Sequence, residues 1–175
     1  MKLVIITQPT FFVEEDKILT ALFEEGMDNL HLYKPGASPM YSERLLSLIP
    51  EISYGKITVH DHYYLKNEYG LAGIDSGKEL PKDYKGKFSR TCHNINELGA
   101  MKKKAEYVFL DNVFGQNARG REELEYAASQ GLIDKHVYAF GGVSMDNIRE
   151  ARELGFGGKT CGADSTYITS RTTKT

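Results

Sequence analysis

Acidic and histidine side chains directly follow several short apolar segments of this sequence, where they could exchange protons with a ligand. Asp75, His93 and Asp111 each stand at the end of such a segment. Histidine titrates near neutral pH and can carry a proton in either direction. A carboxylate among apolar neighbours can serve as a general base. We therefore treat these residues as candidate catalytic residues for proton transfer, with solvated or locally hydrogen-bonded loop side chains as the alternative.

One lysine stands inside an apolar segment near the end of the chain. Lys159 belongs to the run from Gly158 to Gly162, and lysine is unusual inside a packed strand. If the amine is desolvated, its pKa falls and it can form a Schiff base with a carbonyl group. If the side chain points outward, it has no such role. The sequence leaves both interpretations open.

Three histidines suggest a metal site. His60 and His62 are two residues apart and would share one face of a strand, and His31 belongs to the strand before. Asp61 would point to the opposite face, so the set could hold a metal only if the loop bends. Neutral histidines in a polar interior are the alternative.

These residues are positioned by an alternation of short apolar runs and longer amphipathic segments. Strands are predicted at 3–6, 29–33, 56–60, 71–74, 88–92, 107–110, 137–140 and 158–162. Helices are predicted at 14–25, 38–49, 63–69, 95–104, 121–130 and 144–154. Asn94 is a predicted N-cap with Glu97 as its capping-box partner, and Gly131 is a predicted C-cap. Repeated β-α units predict an α/β fold, a (β/α)8 TIM barrel.

The predicted barrel is short and lacks its final helix. The chain has 175 residues, whereas such barrels usually need about 250. We predict one TIM-barrel domain over residues 1–163, followed by a polar Ser/Thr-rich tail over residues 164–175. Since no apolar stripe marks an eighth helix, a homo-oligomer is one way to cover the open seam of the barrel.

Composition excludes several classes of partner. The net charge is −2 and the basic residues form no stripe, so we expect no nucleic-acid partner. No run approaches the ~20 apolar residues that span a bilayer, and no signal-peptide pattern is present, which predicts a cytoplasmic protein without a membrane partner. Cys92 and Cys161 are too isolated to suggest a disulfide framework or a zinc motif. The run Lys102–Lys104 is interpreted as a solvated helix face.

Six motifs occur in a fixed order along the chain and carry a family resemblance. They are LHLYKPGAS, ITVHDHYYL, GLAGIDSGKELP, SRTCHNINE, YVFLDNVF and VYAFGGVSMDNIREARELGFGG. From residue 1 to about residue 163 the chain resembles the thiamine phosphate synthase and TenI family of small barrels. The synthase joins a pyrimidine diphosphate to a thiazole phosphate and releases pyrophosphate. TenI proteins instead aromatise the thiazole by shifting a double bond.

The resemblance implies roles for individual residues. His93 matches the TenI histidine that moves the proton. A phosphorylated small-molecule ligand would be bound by Lys34, Gly141, Gly142 and Gly162. Glycine suits such a role because its backbone N–H groups can approach an anion closely.

Mg²⁺ is the cofactor that the resemblance implies. Asp61 matches the metal-binding aspartate of the family's N-D-R motif. Glu79 is the carboxylate nearest to the position of the second metal ligand. Asp75 replaces the histidine of the family's H-L-G-Q motif, and Lys78 replaces its glutamine.

The loop after the sixth strand departs most from the family pattern. It reads DNVFGQNAR from Asp111 to Arg119, where the family has a Ser/Thr-x-Ser/Thr-Lys cluster that grips pyrophosphate. A carboxylate near a diphosphate weakens binding by like-charge repulsion. We therefore do not expect full synthase activity from this sequence.

Three functional hypotheses follow, because the departures concentrate at the strand ends where barrel active sites lie. The first is a TenI-like protein that binds a phosphorylated thiazole-type molecule. The second is a repurposed pocket, natural or engineered, that uses proton abstraction by Asp75 or Asp111 or amine catalysis by Lys159. The third is a non-catalytic small-molecule binder.

Overall fold

The computed structural model of the protein describes residues 1–77 and 79–163. Eight parallel strands form one sheet in the order β1 to β8, and this sheet closes into a barrel. The strands are β1 Lys2–Thr7, β2 Leu30–Leu32, β3 Ile57–Val59, β4 Gly73–Asp75, β5 Phe88–Cys92, β6 Tyr107–Leu110, β7 Val137–Ala139 and β8 Gly158–Ala163. The predicted fold class is confirmed, and every predicted strand is present.

Within the described part of the chain, six α-helices alternate with these strands. They are α1 Glu15–Glu24, α2 Pro39–Leu48, α3 Tyr64–Tyr69, α4 Ile95–Met101, α5 Arg121–Ser129 and α6 Ile148–Glu153. A 3-10 helix, Glu51–Lys56, was not predicted. None of the helices among the described residues is long and apolar enough to cross a membrane. The predicted tail, residues 164–175, lies outside the described residues.

The sixth helix is shorter than the sequence pattern predicts, since it begins at Ile148 rather than Ser144. The side chain of Asn147 accepts the Ser144 N–H at 2.8 Å and donates to the Gly142 carbonyl at 2.8 Å. These bonds hold residues 142–147 as a side-chain-stabilised turn, which competes with helix formation.

The predicted helix caps are present with one change. The Asn94 side chain accepts the Asn96 N–H at 2.9 Å, as an N-cap should. The Glu97 carboxylate reaches back to the N–H of His93 rather than to that of Asn94. Gly131 follows α5 with φ of 67°, a left-handed conformation that glycine adopts without steric cost.

The described residues pack as two compact units, of which the first contains residues 1–3 and 76–160. Its core includes Val108, Phe109, Leu98 and Leu124, all almost completely buried. The rings of Tyr107 and Tyr138 stack at 4.6 Å between centroids. Such pairs contribute about 0.5–1.5 kcal/mol beyond the area they bury. In this unit β5, β6 and β7 pair in parallel, so the residues that follow these strands lie at the same edge of the sheet.

Of the described residues, the second unit contains 4–75 and 161–163. Strands β2, β3 and β4 pair in parallel, with Leu30 opposite Ile57 and Val59 opposite Ile74. The side chains of these four residues are at most 1% exposed. These apolar residues gave the sequence signal of the strands, although the buried polar residues His31, Thr58 and Asp75 interrupt the apolar runs.

Candidate active site

The first group of candidate residues lies where β5 and β6 end. His93 directly follows β5, and Asp111 directly follows β6. The Asp111 N–H donates to the Cys92 carbonyl at 3.2 Å, which extends the strand pairing by one residue. The two predicted catalytic residues are therefore held side by side by backbone hydrogen bonds.

Asp111 bridges a histidine and an arginine. Its Oδ2 accepts a hydrogen bond from Nδ1 of His93, and its Oδ1 lies 2.9 Å from Nη2 of Arg119. Arg119 also donates from Nε to the Asp111 carbonyl at 2.8 Å and pairs with Glu123 at 2.9 Å. The His93 side chain is 73% exposed, whereas those of Asp111 and Arg119 are 15% and 12% exposed. The exposed imidazole of His93 is therefore bound to an aspartate that is shielded from water and paired with an arginine.

The loop from 112 to 119 folds back to bring Arg119 to Asp111. Asn112 has φ of 52°, a left-handed conformation that asparagine tolerates better than most residues. Its carbonyl accepts the Arg119 N–H at 2.8 Å, which closes the loop. Arg119 was not predicted as a site residue. The available sequence signal was the spacing of Arg119 and Glu123 near the start of α5, because side chains four residues apart on a helix can form an ion pair.

Gly141 and Gly142 form a second loop against this one. Their φ angles are 90° and 66°. A Cβ atom on Gly142 would lie 2.4 Å from the Phe114 carbonyl carbon, and one on Gly141 would lie 3.2 Å from the Asn112 nitrogen. The Phe114 N–H donates to the Gly141 carbonyl at 3.0 Å. Both glycines are thus required by the close approach of two backbones, next to the residue that follows Asp111.

His31, His60 and Asp75 form a separate group in the second unit. Nδ1 of His31 and Nε2 of His60 are 2.8 Å apart, and Nδ1 of His60 lies 3.7 Å from Oδ1 of Asp75. Burial, with the neighbouring His60, lowers the pKa of His31 well below its usual range. Burial also lowers the pKa of His60, against the opposing influence of Asp75 and Asp61. Both shifts favour the neutral form of the imidazole.

The prediction that His62 shares a face with His60 is wrong. Strand β3 ends at Val59, and His62 has φ of 53°, which turns the backbone away from the strand direction. The His62 ring instead bonds the Ala37 carbonyl at 2.9 Å. The third member of the group with His31 and His60 is Asp75 and not, as predicted, His62. Each of the two candidate carboxylates, Asp75 and Asp111, is associated with its own histidine.

Lys34 lies in a buried ion pair. Its Nζ is 2.6 Å from Oε1 of Glu15, and both side chains are at most 3% exposed. The same nitrogen donates to the carbonyls of Gln8 and Thr10 at 2.9 and 3.0 Å. Burial lowers the pKa of Lys34 and raises that of Glu15, and the pair itself opposes both shifts. The predicted phosphate role of Lys34 stays a prediction, and its ammonium group already has three acceptors.

The predicted magnesium ligands differ in their surroundings. Oδ2 of Asp61 is buried without a hydrogen-bond partner among the described residues, which fits a hard cation. Glu79 is exposed. Asp61 is the residue that would hold Mg²⁺, and a bound Mg²⁺ would supply positive charge to a phosphate group.

Two further predicted site residues lie in β8. Lys159 is half-buried and pairs in register with Ala139 of β7. Within residues 1–77 and 79–163, Lys159 forms no hydrogen bond or ion pair with His93 or Asp111. Gly162 lies within the same strand. The predicted roles of both residues stay predictions.

Comparison with known proteins gives matches among solved structures. The chain is 47% identical to a thiamine phosphate pyrophosphorylase from Bacteroides thetaiotaomicron, over 94% of this chain and 84% of that one, with a TM-score of 0.88. A thiamine phosphate pyrophosphorylase from Pyrococcus furiosus is 24% identical over 93% and 85% of the two chains, with a TM-score of 0.70.

More distant matches share the fold alone. A 3-hexulose-6-phosphate synthase from Salmonella typhimurium is 12% identical over 95% of this chain and 91% of that one, with a TM-score of 0.57. No protein-family profile matches the sequence, and no curated protein matches it.

Proposed function

Because this chain belongs to the thiamine phosphate pyrophosphorylase family, we propose that it binds a phosphorylated thiazole-type molecule and isomerises it by proton transfer. The observation that carries the proposal is the group formed by His93, Asp111 and Arg119 at the ends of β5 and β6. The carboxyl ends of strands are where barrel enzymes place their catalytic residues.

His93 is the proton carrier of the proposed reaction. Its Nδ1 is engaged by Asp111, which leaves Nε2 on the exposed edge of the ring to face a ligand. Nε2 removes a proton from a carbon of the non-aromatic thiazole, the double bond shifts, and the same nitrogen returns the proton at the other end of the shifted bond. The composition of the ligand is unchanged, as an isomerisation requires. General acid–base catalysis of this kind contributes about 10²–10⁴-fold to a rate.

Asp111 and Arg119 are positioning residues in this proposal. The Asp111 carboxylate fixes the orientation of the imidazole and stabilises its positive charge after the proton arrives, as carboxylates do for catalytic histidines elsewhere. Arg119 balances the charge of that carboxylate from the other side. A lone carboxylate would interact unfavourably with a phosphorylated ligand, so the arginine makes the site compatible with an anion.

The loop of Gly141 and Gly142 is the proposed phosphate site. Two successive glycines with positive φ follow β7, where backbone N–H groups can approach an anion without a side chain in the way. The loop contacts Asn112, the residue after Asp111. A phosphate bound there would place the attached ring near His93, because this loop contacts the residue that follows Asp111 and Asp111 is hydrogen-bonded to His93.

Synthase activity is not part of the proposal. The synthase must hold a diphosphate, and the segment that provides this grip in the family is replaced by the loop that carries Asp111 and Arg119. Arg119 is committed to Asp111 and Glu123. A diphosphate would have to break these ion pairs before it could use the guanidinium group.

The proposal is tested by titrating the protein with thiazole phosphate and by following aromatisation of the non-aromatic tautomer in the wild type and the His93→Gln variant. The rate should fall by about 10²-fold or more in the variant, because no other proton carrier replaces the imidazole. His136→Gln is the matched control, since His136 is also a partly exposed histidine beside an aspartate. Equal loss in both variants, or none in His93→Gln, would contradict the role of His93.

The phosphate site is tested separately with Gly141→Asp, which adds a negative charge. Gly155→Asp is its control, because Gly155 has a similar φ of 95° and imposes a similar backbone strain. Binding should be lost only in Gly141→Asp. Binding without turnover in the wild type would favour the third hypothesis, a non-catalytic binder. Absence of binding would favour a repurposed pocket.

A further inference from the structure

A second cluster of chemically active side chains lies outside the proposed isomerase site. His31 belongs to β2, His60 directly follows β3, and Asp75 ends β4. One nitrogen of each histidine and a carboxylate oxygen of Asp75 all lie within 4.8 Å of one another. We propose that these three residues form a binding site for one divalent transition-metal ion of the zinc class. The proposal goes beyond the proposed function and does not rest on it.

The backbone holds the three residues in place. Strands β2, β3 and β4 are adjacent and pair in parallel, with His31 opposite Thr58 and Val59 opposite Ile74. The His60 N–H donates to the Leu32 carbonyl at 3.1 Å, which continues the pairing beyond the end of β3. A site carried by paired strands is rigid, and rigidity favours metal binding because little ordering is needed.

The cluster is shielded from water on most sides. His31 is 0% exposed and Asp75 is 4% exposed, whereas the His60 side chain is 17% exposed. The ring of Tyr33 packs edge-on against His60 with centroids 5.3 Å apart. His60 therefore forms the accessible side of the cluster, through which an ion can enter and where a fourth ligand can bind.

The donor atoms determine the class of ion. Two imidazole nitrogens and one carboxylate oxygen suit zinc and neighbouring transition metals, whereas magnesium prefers an all-oxygen shell. Around tetrahedral zinc, donor atoms at about 2.0–2.2 Å from the ion are roughly 3.3–3.6 Å apart. Nδ1 of His31 and Nε2 of His60 are 2.8 Å apart, so a small separation of the two rings would admit the ion. Three protein ligands leave one coordination position open, as in catalytic zinc sites.

The first test is a titration of the chelator-treated, untagged full chain with Co²⁺ and then with Zn²⁺. Tetrahedral Co²⁺ absorbs visible light much more strongly than octahedral Co²⁺, so the spectrum reports both stoichiometry and geometry. We expect one Co²⁺ per chain, its displacement by Zn²⁺, and a higher melting temperature with Zn²⁺ because the ion binds only the folded state. Less than one equivalent, or a spectrum of hydrated octahedral Co²⁺, would overturn the proposal.

The second test compares His60→Gln and Asp75→Asn with His62→Gln. The first two variants keep hydrogen-bonding side chains of similar size but remove a ligand, so Zn²⁺ affinity should fall at least about tenfold. His62 is two residues away and bonds the Ala37 carbonyl, so His62→Gln should bind as the wild type does. An unchanged affinity in His60→Gln and Asp75→Asn, or an equal loss in His62→Gln, would place the ion elsewhere and overturn the assignment.

Discussion

At the scale of single residues, the ion pair between Lys34 and Glu15 is almost completely shielded from water. Lys34 donates to one carboxylate oxygen and two backbone carbonyls, and its Nζ lies 4.5 Å from the centre of the Phe11 ring. A buried charge is costly unless it is paired and hydrogen-bonded, and here every donor direction of the ammonium group has an acceptor. This arrangement indicates a structural role for Lys34, independent of any ligand.

We predict that Lys34→Met destabilises the protein by about 3–5 kcal/mol, because it leaves the Glu15 carboxylate buried without its counter-charge. The double variant Glu15→Leu with Lys34→Met should recover most of the loss, since it removes both charges. Urea denaturation of the two variants measures the difference. Lys17→Met is the control, because the Lys17–Glu14 pair is solvent-exposed and should contribute nothing measurable. Equal stability of Lys34→Met and Lys17→Met would contradict the structural role.

At the scale of loops and helices, the site of the first unit is built by contacts between connecting segments. The loop after β6 and the loop after β7 meet at Gly142, where no side chain fits. On another side of this unit, Lys102 at the end of α4 donates to the carbonyls of Gly131 and Leu132 and to the carboxylate of Asp134. Its side chain is 14% exposed, so the interpretation of Lys102 as part of a solvated face is wrong.

Gly142→Ala should destabilise the protein by at least about 2 kcal/mol. The substitution forces a side chain into a left-handed conformation and against the backbone at Phe114. Gly55→Ala is the control, since nothing lies within 4 Å of the position that its Cβ would take and its φ is not left-handed. Its stability should change by less than about 1 kcal/mol. Thermal unfolding of both variants measures the contrast, and similar melting temperatures would mean that the two loops do not meet as described.

The ion pair between Lys102 and Asp134 predicts a pH dependence. Burial alone would raise the pKa of Asp134, but hydrogen bonds from Lys102 and from the His136 N–H, together with nearby positive charge, hold it below its ordinary value of 3.8. A carboxyl group whose pKa is lower in the folded state stabilises the fold above its unfolded pKa. That contribution is lost as the pH falls through the folded pKa.

The Asp134→Asn variant should therefore be less stable than the wild type at neutral pH. The difference should be below about 1 kcal/mol, because the Asp134 side chain is 38% exposed and solvent screens the pair. It should disappear when the pH falls below the pKa of Asp134 in the folded protein. Urea denaturation across this pH range measures the effect. A difference that persists at the lowest pH would show that the charge is not its source.

At the scale of the whole molecule, the closed eight-stranded sheet and the 47% identity to a known thiamine phosphate pyrophosphorylase agree on the family. Order and spacing of six motifs were enough to predict this family from the sequence. The predictions of one domain over residues 1–163 and of a homo-oligomeric partner stay predictions. The carboxyl ends of strands are the positions that barrel enzymes use for function, and this chain carries His60, Asp75, His93 and Asp111 at the ends of β3, β4, β5 and β6.

The amino-acid sequence by itself determined the strands, most helices, the caps at Asn94 and Gly131, and the placement of His93 and Asp111 at strand ends. These features depend on residues that are close along the chain or on a regular apolar period, so they can be read locally. Only the tertiary structure decided which side chains meet. It paired His60 with Asp75 rather than with His62, and it brought Arg119 back to Asp111, because left-handed residues at 62 and 112 redirect the backbone. Such turns arise from the balance of many distant contacts, which no short stretch of sequence contains.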